Sequence, residues 1–572
     1  MSQGGEVRKS FWQSGEPFIW LTGGALGLSL IMIVALIWMI AANALGFFWP
    51  DRLVLALLQD GGELLGQVTG YEEIPRSHIE EGEERYRTQF KVANRDLYGA
   101  DFRWIDNDQI RDQTYPEEAA FFERWEWGPL FGFLKAVIQD GRVMAEGAEQ
   151  GWQKFQEIHP RTQETLERSH RIEREEIGEI NYHLERLRLA VKRVRLEEHD
   201  SFNPCTGEAC FAPTLRAGLA QDRPTQADER VAVLEREVTV WQQRYEEKTE
   251  ELQALYEENA RYRIVVRAAG GREKELPVAA IVRAFLPNQM SWGERLALYL
   301  TRLWEFIWHD PRESNTEGGV FPAIFGTVMM VMLMSIIVVP FGVLAALYLR
   351  EYAKQGPLVR TVRIAVNNLA GVPSIVFGVF GLGFFIYLIG GTIDQLFYPE
   401  ALPTPTFGTG GILWASLTLA LLTVPVVIVA TEESLALIPS EWREGSLALG
   451  ATKWETIRKI VLPGALPGIL TGMILAMARG AGEVAPLMIT GVVKLAPSLP
   501  VDAYWPFFHL ERKFMHLGFH IYDVGFQSPN VEAAKPMVYA TTLLLISLIL
   551  LLNLTAILVR NRLRRRLRFG TF

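Results

Sequence analysis

The chain has 572 residues, of which 49% are hydrophobic and 22% charged, with a formal net charge of −9. Its mean hydropathy of +0.10 looks almost soluble because it averages two unlike parts. Two cysteines exclude a cysteine-rich metal scaffold, and the lack of any G-x-x-x-x-G-K-[ST] loop excludes ATP hydrolysis by the usual phosphate-cradling route.

Runs of roughly 20 apolar residues cross a hydrocarbon core about 30 Å thick. They fall at 18–48, 320–349, 365–389, 412–430, 465–493 and 537–559, which predicts six transmembrane helices. The first is too long for a signal-peptide core and lacks a small-residue cleavage site, so it is expected to stay as an anchor.

Between the first two spans lies a charged stretch, 51–318, with no spanning run. It reads as an aqueous insert. "RLVLALLQDGGELLGQVTGYEEI", "RYRTQFKVANRDLYGADFRWID" and "RYRIVVRAAGGREKELPVAAIVRAF" alternate around turn residues, which predicts a β-rich base. Ile177, Ile180, Leu184, Leu187, Val191 and Val194 repeat at spacings of three and four, as do Val231, Leu234, Val238, Trp241 and Tyr245, then Leu252 and Leu255. Such heptads predict an antiparallel coiled-coil hairpin over about 161–262. Cys205 and Cys210 fall near its tip, where an oxidising compartment would let them pair as a disulfide; two free thiols in a polar loop are the alternative. His78, His159, His170, His183 and His199 are scattered among charges and read as solvated side chains. No metal site and no catalytic constellation is expected.

Orientation follows from basic residues in the short loops. The loop after span 2 carries Arg350, Lys354, Arg360 and Arg363, the loop after span 4 carries Arg443, Lys453, Arg458 and Lys459, and the tail 561–572 is rich in arginine. The loop after span 3 has none. Both termini are therefore expected in the cytoplasm and the insert in the periplasm of a bacterial inner membrane. The tail is expected to anchor against anionic lipid rather than nucleic acid.

The stretch "EGSLALGATKWETIRKIVLP" is polar and basic yet sits between two apolar segments. Its order is Glu444, Gly445 and Ser446, then Gly450, then Ile460, Leu462 and Pro463. This resembles the E-A-A, three residues, G, nine residues, I-x-L-P loop of ABC importer permeases. Gly445 and Ser446 stand for the two alanines, so both small residues are kept. The resemblance implies a cytoplasmic coupling loop, 432–463, that docks on a separate ATPase. Through "NNLAGVPSIVFG" and "ARGAGE" the region 318–560 is similar to the PstA family, the A-type permeases of phosphate-specific importers. The insert departs from the short members of that family.

Arg479 and Glu483 are read as lying inside span 5, four apart and on one helical face. Charges at membrane depth are costly unless paired or facing a polar path. The resemblance implies that Arg479 contacts phosphate and that Glu483 tunes it; a structural salt bridge is the alternative. Asn367, Asn368 and Ser374 are weaker path candidates. Pro340, Pro373, Pro425, Pro467 and Pro486 are expected to kink spans, and Glu432 and Glu433 to form a solvated cap.

The expected architecture is an all-α polytopic type I permease with six transmembrane helices and an α+β insert. Its parts are residues 1–50 (tail and span 1), 51–318 (insert), 319–560 (spans 2 to 6) and 561–572 (basic tail). The resemblance implies a second, PstC-type permease, a PstB-type ATPase homodimer that holds the ATP, and a PstS-type periplasmic phosphate-binding protein. No cofactor is expected on this chain. Another oxyanion, molybdate or sulfate, or a membrane-anchored coiled-coil sensor, are the competing functions.

Overall fold

The structure is a computed structural model that describes residues 16–74, 85–202, 226–528 and 530–567. Among these, six helices are long and apolar enough to cross a membrane: Pro17–Gly46, Phe321–Tyr352, Ser374–Phe397, Ile412–Ala436, Lys453–Gly482 and Val531–Leu563. All the described strands lie between Val54 and Gly318. The chain is thus helical where it is apolar and mixed where it is charged.

Helix α1 (Glu16–Gly46) leads into two antiparallel sheets. The first is built from β1 (Val54–Leu58), β2 (Glu63–Glu73), β3 (Tyr86–Lys91), β4 (Phe102–Asp106) and β5 (Ile110–Thr114), in the order β4-β3-β2-β1-β5. The second joins β6 (Ala120–Arg124), β7 (Leu130–Gln139), β8 (Arg142–Glu146), β9 (Tyr262–Arg267), β10 (Glu273–Pro277) and β11 (Ile281–Phe285), with β8 paired to β7 and the rest ordered β10-β9-β7-β6-β11. Alternation supplies their core: Phe122, Leu130, Val137, Ile264 and Ile281 are fully buried on one side while Lys135 and Arg267 point out. The alternating segments read from sequence correspond to β1 to β4 and β9 to β11, while β5 to β8 were not anticipated.

Between β8 and β9 the chain makes two long arms. The first is α2 (Ala148–Arg171), a π-turn and α3 (Ile177–Phe202); the second is α4 (Gln226–Ala260). Arg168 pairs with Glu251 at 2.7 Å, Lys248 with Glu176 at 2.7 Å and Arg195 with Glu235 at 3.1 Å, so the arms run antiparallel. The first arm begins at Ala148 rather than near 161, because Pro160 sits inside a helix that continues through it. One histidine read as solvated is not, since His159 Nε2 lies 2.8 Å from the Ile281 carbonyl, whereas His183 stacks one face on Trp241 at 4.3 Å and stays 36% exposed. Cys205, Cys210 and His78 lie outside the described residues.

After α5 (Trp292–Trp308) comes α6 (Phe321–Leu347), which widens through a π-turn to Tyr352. Span 3 differs from its apolar run. Residues Pro357–Leu369 form a separate amphipathic helix, α7, and the chain turns at Gly371 before α8 (Ser374–Phe380) begins behind Pro373. Hydropathy averages across such a break, and proline disfavours helix in the residue before it. The span therefore runs over Ser374–Phe397 instead of 365–389. Asn367 and Asn368 are exposed on α7, outside the span.

Helix α9 (Ile412–Ala436) is the hub: 67% of its most apolar window is buried, against 0% for the first and last spans. Met330, Met334 and Val338 of α6 and Ala476 and Met477 of span 5 close around its Leu419 and Leu422. The first and last spans touch one another and leave broad apolar faces to lipid. The insert rests on loops at one end of this bundle: Tyr182 donates to the Trp505 carbonyl at 3.0 Å, Asn315 to the Lys494 carbonyl at 2.9 Å, and Arg193 pairs with the buried Glu400.

Candidate functional site

Two regions carry the residues singled out in the sequence. The first is α10 (Ser440–Ala448), a turn, and the helix that rises into span 5. Leu449 ends α10, Gly450 follows at φ +86°, its N–H reaches the Leu447 carbonyl at 3.0 Å, and the Ala451 N–H reaches Ser446 at 3.2 Å. That pair of bonds is the Schellman arrangement, which needs a left-handed residue and so favours glycine. Thr452 and Glu455 then form a capping box for the next helix. Ser446 and Thr456 hydroxyls meet at 2.9 Å and tie the two halves together.

Glu444 and Gly445 are exposed, and nothing lies within 4 Å of a Cβ at Gly445. Trp442, Leu447, Leu449 and Trp454 are exposed around them. A polar helix that turns apolar side chains to solvent offers a docking face. On its other side, Ile457 and Val461 pack into a cluster with Leu435, Ile438 and Leu347, and Ile460, Leu462 and Pro463 continue into α11 (Leu462–Gly482) half-buried.

Arg443 joins this segment to the bundle. It donates to the Glu351 carboxylate at 3.2 and 3.0 Å, to the Ile438 carbonyl at 2.7 Å and to the Leu435 carbonyl at 2.8 Å. Glu351 sits at the end of span 2, and Lys453 Nζ contacts its backbone carbonyl. Arg443 and Lys453 thus tie this segment to the ends of spans 2 and 4. Glu432 is not a solvated cap: Arg363 binds it at 3.1 Å and reaches the Leu349 carbonyl at 3.3 Å.

The second region is the break in span 5. Arg479 lies in the last turn of α11, and Glu483 is its C-cap with extended backbone, so the helix stops at Gly482 rather than continuing to 493. Glu483 is thus outside the helix, yet its carboxylate remains 3.5 Å from the Arg479 guanidinium. The two side chains are 33% and 23% exposed, so the pair opens to one side of the bundle. A short helix, α12 (Ala485–Thr490), then folds back into protein. Gly378 permits this: a Cβ there would come 2.8 Å from Pro486 Cα. Pro373 and Pro486 consequently start short helices, whereas Pro340, Pro425 and Pro467 lie inside spans as expected. Irregular backbone at membrane depth is tolerated where it is packed in protein or lines a path.

A bundle with an exposed helix on this spacing and a broken, charged span fits the permease subunit of an ATP-driven importer. Residues 338–569 match the family of binding-protein-dependent transport system inner membrane components. The chain is 36% identical over 252 residues to the phosphate transport system permease protein PstA 1 of Mycobacterium tuberculosis, spanning 44% of this chain and 72% of that one. It is 34% identical over 246 residues to PstA of Yersinia pestis, spanning 43% and 74%. A chain of the MetNI methionine ABC transporter overlays 48% of this chain and 99% of its own at 20% identity and a TM-score of 0.32. The chain belongs to the PstA family of phosphate transport permeases. The insert lies before the matched residues.

Proposed function

We propose that this chain forms one half of the pore through which an ATP-driven importer carries inorganic phosphate into the cytoplasm. The observation that carries the reading is the Arg479–Glu483 pair at the broken end of span 5, within the segment that matches the family. A guanidinium offers a planar fork of donors suited to phosphate oxygens. Glu483 holds that fork while no anion is present and weakens the positive field, so that phosphate is passed on rather than trapped. Arg479 is one-third open, which suits a group that must exchange one partner for another.

In this reading a second, PstC-type permease closes the other half of the path, and a PstB-type ATPase pair binds ATP and docks on Glu444, Gly445, Ser446 and the exposed Trp442 and Leu449. A PstS-type protein delivers phosphate from the periplasm, where the insert stands, while both termini face the cytoplasm. Closure of the ATPases moves α10, and Arg443 and Lys453 transmit that movement to span 2. The chain itself supplies no catalysis and holds no cofactor.

The test is uptake by the reconstituted importer with labelled phosphate, in competition with unlabelled phosphate, arsenate, molybdate and sulfate. Competition by phosphate and arsenate alone is expected. Displacement by molybdate or sulfate at equal concentration would assign another oxyanion.

A further inference from the structure

Helix α5 (Trp292–Trp308) presents an apolar exposed face, which a helix on the surface of an aqueous domain does not. Its charged residues turn inward: Arg295 donates to the Pro287 carbonyl at 2.7 Å, Arg302 lies 3.5 Å from the carboxylate of Glu123, and Glu305 pairs with Arg283. Tyr299, Leu303, Phe306 and Ile307 also pack inward, yet four large apolar residues turn outward: Trp292, Leu300, Trp304 and Trp308 are 70%, 55%, 61% and 53% exposed, at steps of eight, four and four along one face. The one charged residue that is exposed, Glu294, is held in the N-terminal capping box with Ser291. Water-facing helices show the opposite arrangement.

The position of the helix says what covers that face. Tyr299 packs 6.5 Å from Phe48 and 5.9 Å from Trp49, where span 1 ends, and Phe306 lies 5.2 Å from Phe48. At its other end the Phe306 carbonyl accepts from the Val320 N–H at 2.9 Å, and Trp308 stacks on Phe321, the first residue of span 2. The helix therefore bridges the exit of one span and the start of the next, which lie on the same side of the membrane. Its 17 residues reach about 25 Å, short of the roughly 30 Å core, and its inward charges rule out a spanning role. Tryptophan, with an apolar ring and one N–H donor, is the residue enriched at the headgroup boundary.

We propose that α5 is an interfacial helix whose tryptophan face is immersed in the headgroup–acyl boundary of the leaflet on the insert's side. It would fix the height of the sheets above the bilayer and the tilt at which the hairpin arms leave it. The inference rests on the apolar runs being spans and does not depend on which anion is carried.

The test places a nitroxide on the face. With Cys205 and Cys210 changed to serine, the full chain, together with the subunits that copurify with it, carries Trp304→Cys or Leu300→Cys. It is reconstituted in phosphatidylethanolamine–phosphatidylglycerol vesicles. Val233→Cys, on an exposed position of α4, reports water, and Leu36→Cys, on the exposed face of α1, reports lipid. The ratio of collisions with oxygen to collisions with a nickel chelate is expected to exceed that at Val233 several-fold at both helix positions and to approach that at Leu36. A ratio equal to that at Val233 would overturn the proposal in favour of a water-facing helix. Protection from both reagents would overturn it in favour of a protein partner on that face. If the Trp304→Cys chain is not recovered, Leu300→Cys, which keeps every tryptophan, decides alone.

Discussion

Replacing Arg443 by alanine removes the tie between the docking helix and spans 2 and 4, and its cost follows from the geometry. Four hydrogen bonds are lost, two to a carboxylate and two to carbonyls, all from a charged donor. The Glu351 side chain, only 12% exposed, is left without its guanidinium partner. Breaking a pair this enclosed costs about 3–5 kcal/mol. Lysine restores the charge but not the fork, so Arg443→Lys should recover only part of it. A double-mutant cycle with Glu351→Gln is expected to give an interaction energy of about 1–3 kcal/mol, read from thermal midpoints of the solubilised importer. In transport assays the alanine variant should hydrolyse ATP while moving little phosphate. An interaction energy near zero together with unchanged uptake would refute the claim that Arg443 carries the motion.

Gly450→Ala places a Cβ at φ +86° and should cost about 1 kcal/mol at the α10 turn, measurable as reduced ATPase stimulation on binding-protein addition, with assembly intact. Arg193→Ala leaves the buried Glu400 carboxylate without its cation and should loosen the 398–410 loop, read as faster limited proteolysis there; an unchanged cleavage rate would contradict the role. The insert should also show two pH windows. Burial pushes the Glu317 carboxyl from 4.5 up to about 7, against the pull of Lys91, so folding stability falls as pH rises from about 4.5 to 7, by on the order of 3 kcal/mol. Glu317→Gln should flatten that slope. Burial also opposes ionisation of Glu123, but Arg302, Arg312 and Arg283 outweigh it and hold the carboxyl at about 2, so its contribution is present above about 4.5 and is lost as pH falls towards 2. Melting curves across pH would expose both.

Hydropathy located the six spans because an apolar run of that length has few other uses. It missed the breaks at 370–373 and 482–484, since glycine, alanine and valine read as apolar whether or not they are helical. The consequence was local: Glu483 is a cap, not a helical neighbour of Arg479. The helix–turn–helix at 440–463 was legible because its glycine, capping box and proline are local signals with fixed spacing. Arg443 was counted only as a basic loop residue, because Glu351 lies 92 positions away and nothing local marks the pair. The same limit hid the Arg193–Glu400 contact between hairpin and bundle. The three-and-four spacing of apolar residues pointed to two long helices, while β6 and β7 are nearly continuous apolar runs that show no alternation and β5 is mostly polar.

The central claim is tested most directly by deleting this chain from its host, limiting phosphate, and measuring labelled phosphate uptake with plasmid copies of the intact chain and of Arg479→Ala. The account predicts that high-affinity uptake is lost on deletion and restored by the intact chain alone, with both copies present in the membrane at equal levels. Full uptake through the Arg479→Ala chain would contradict the role assigned to the charged end of span 5.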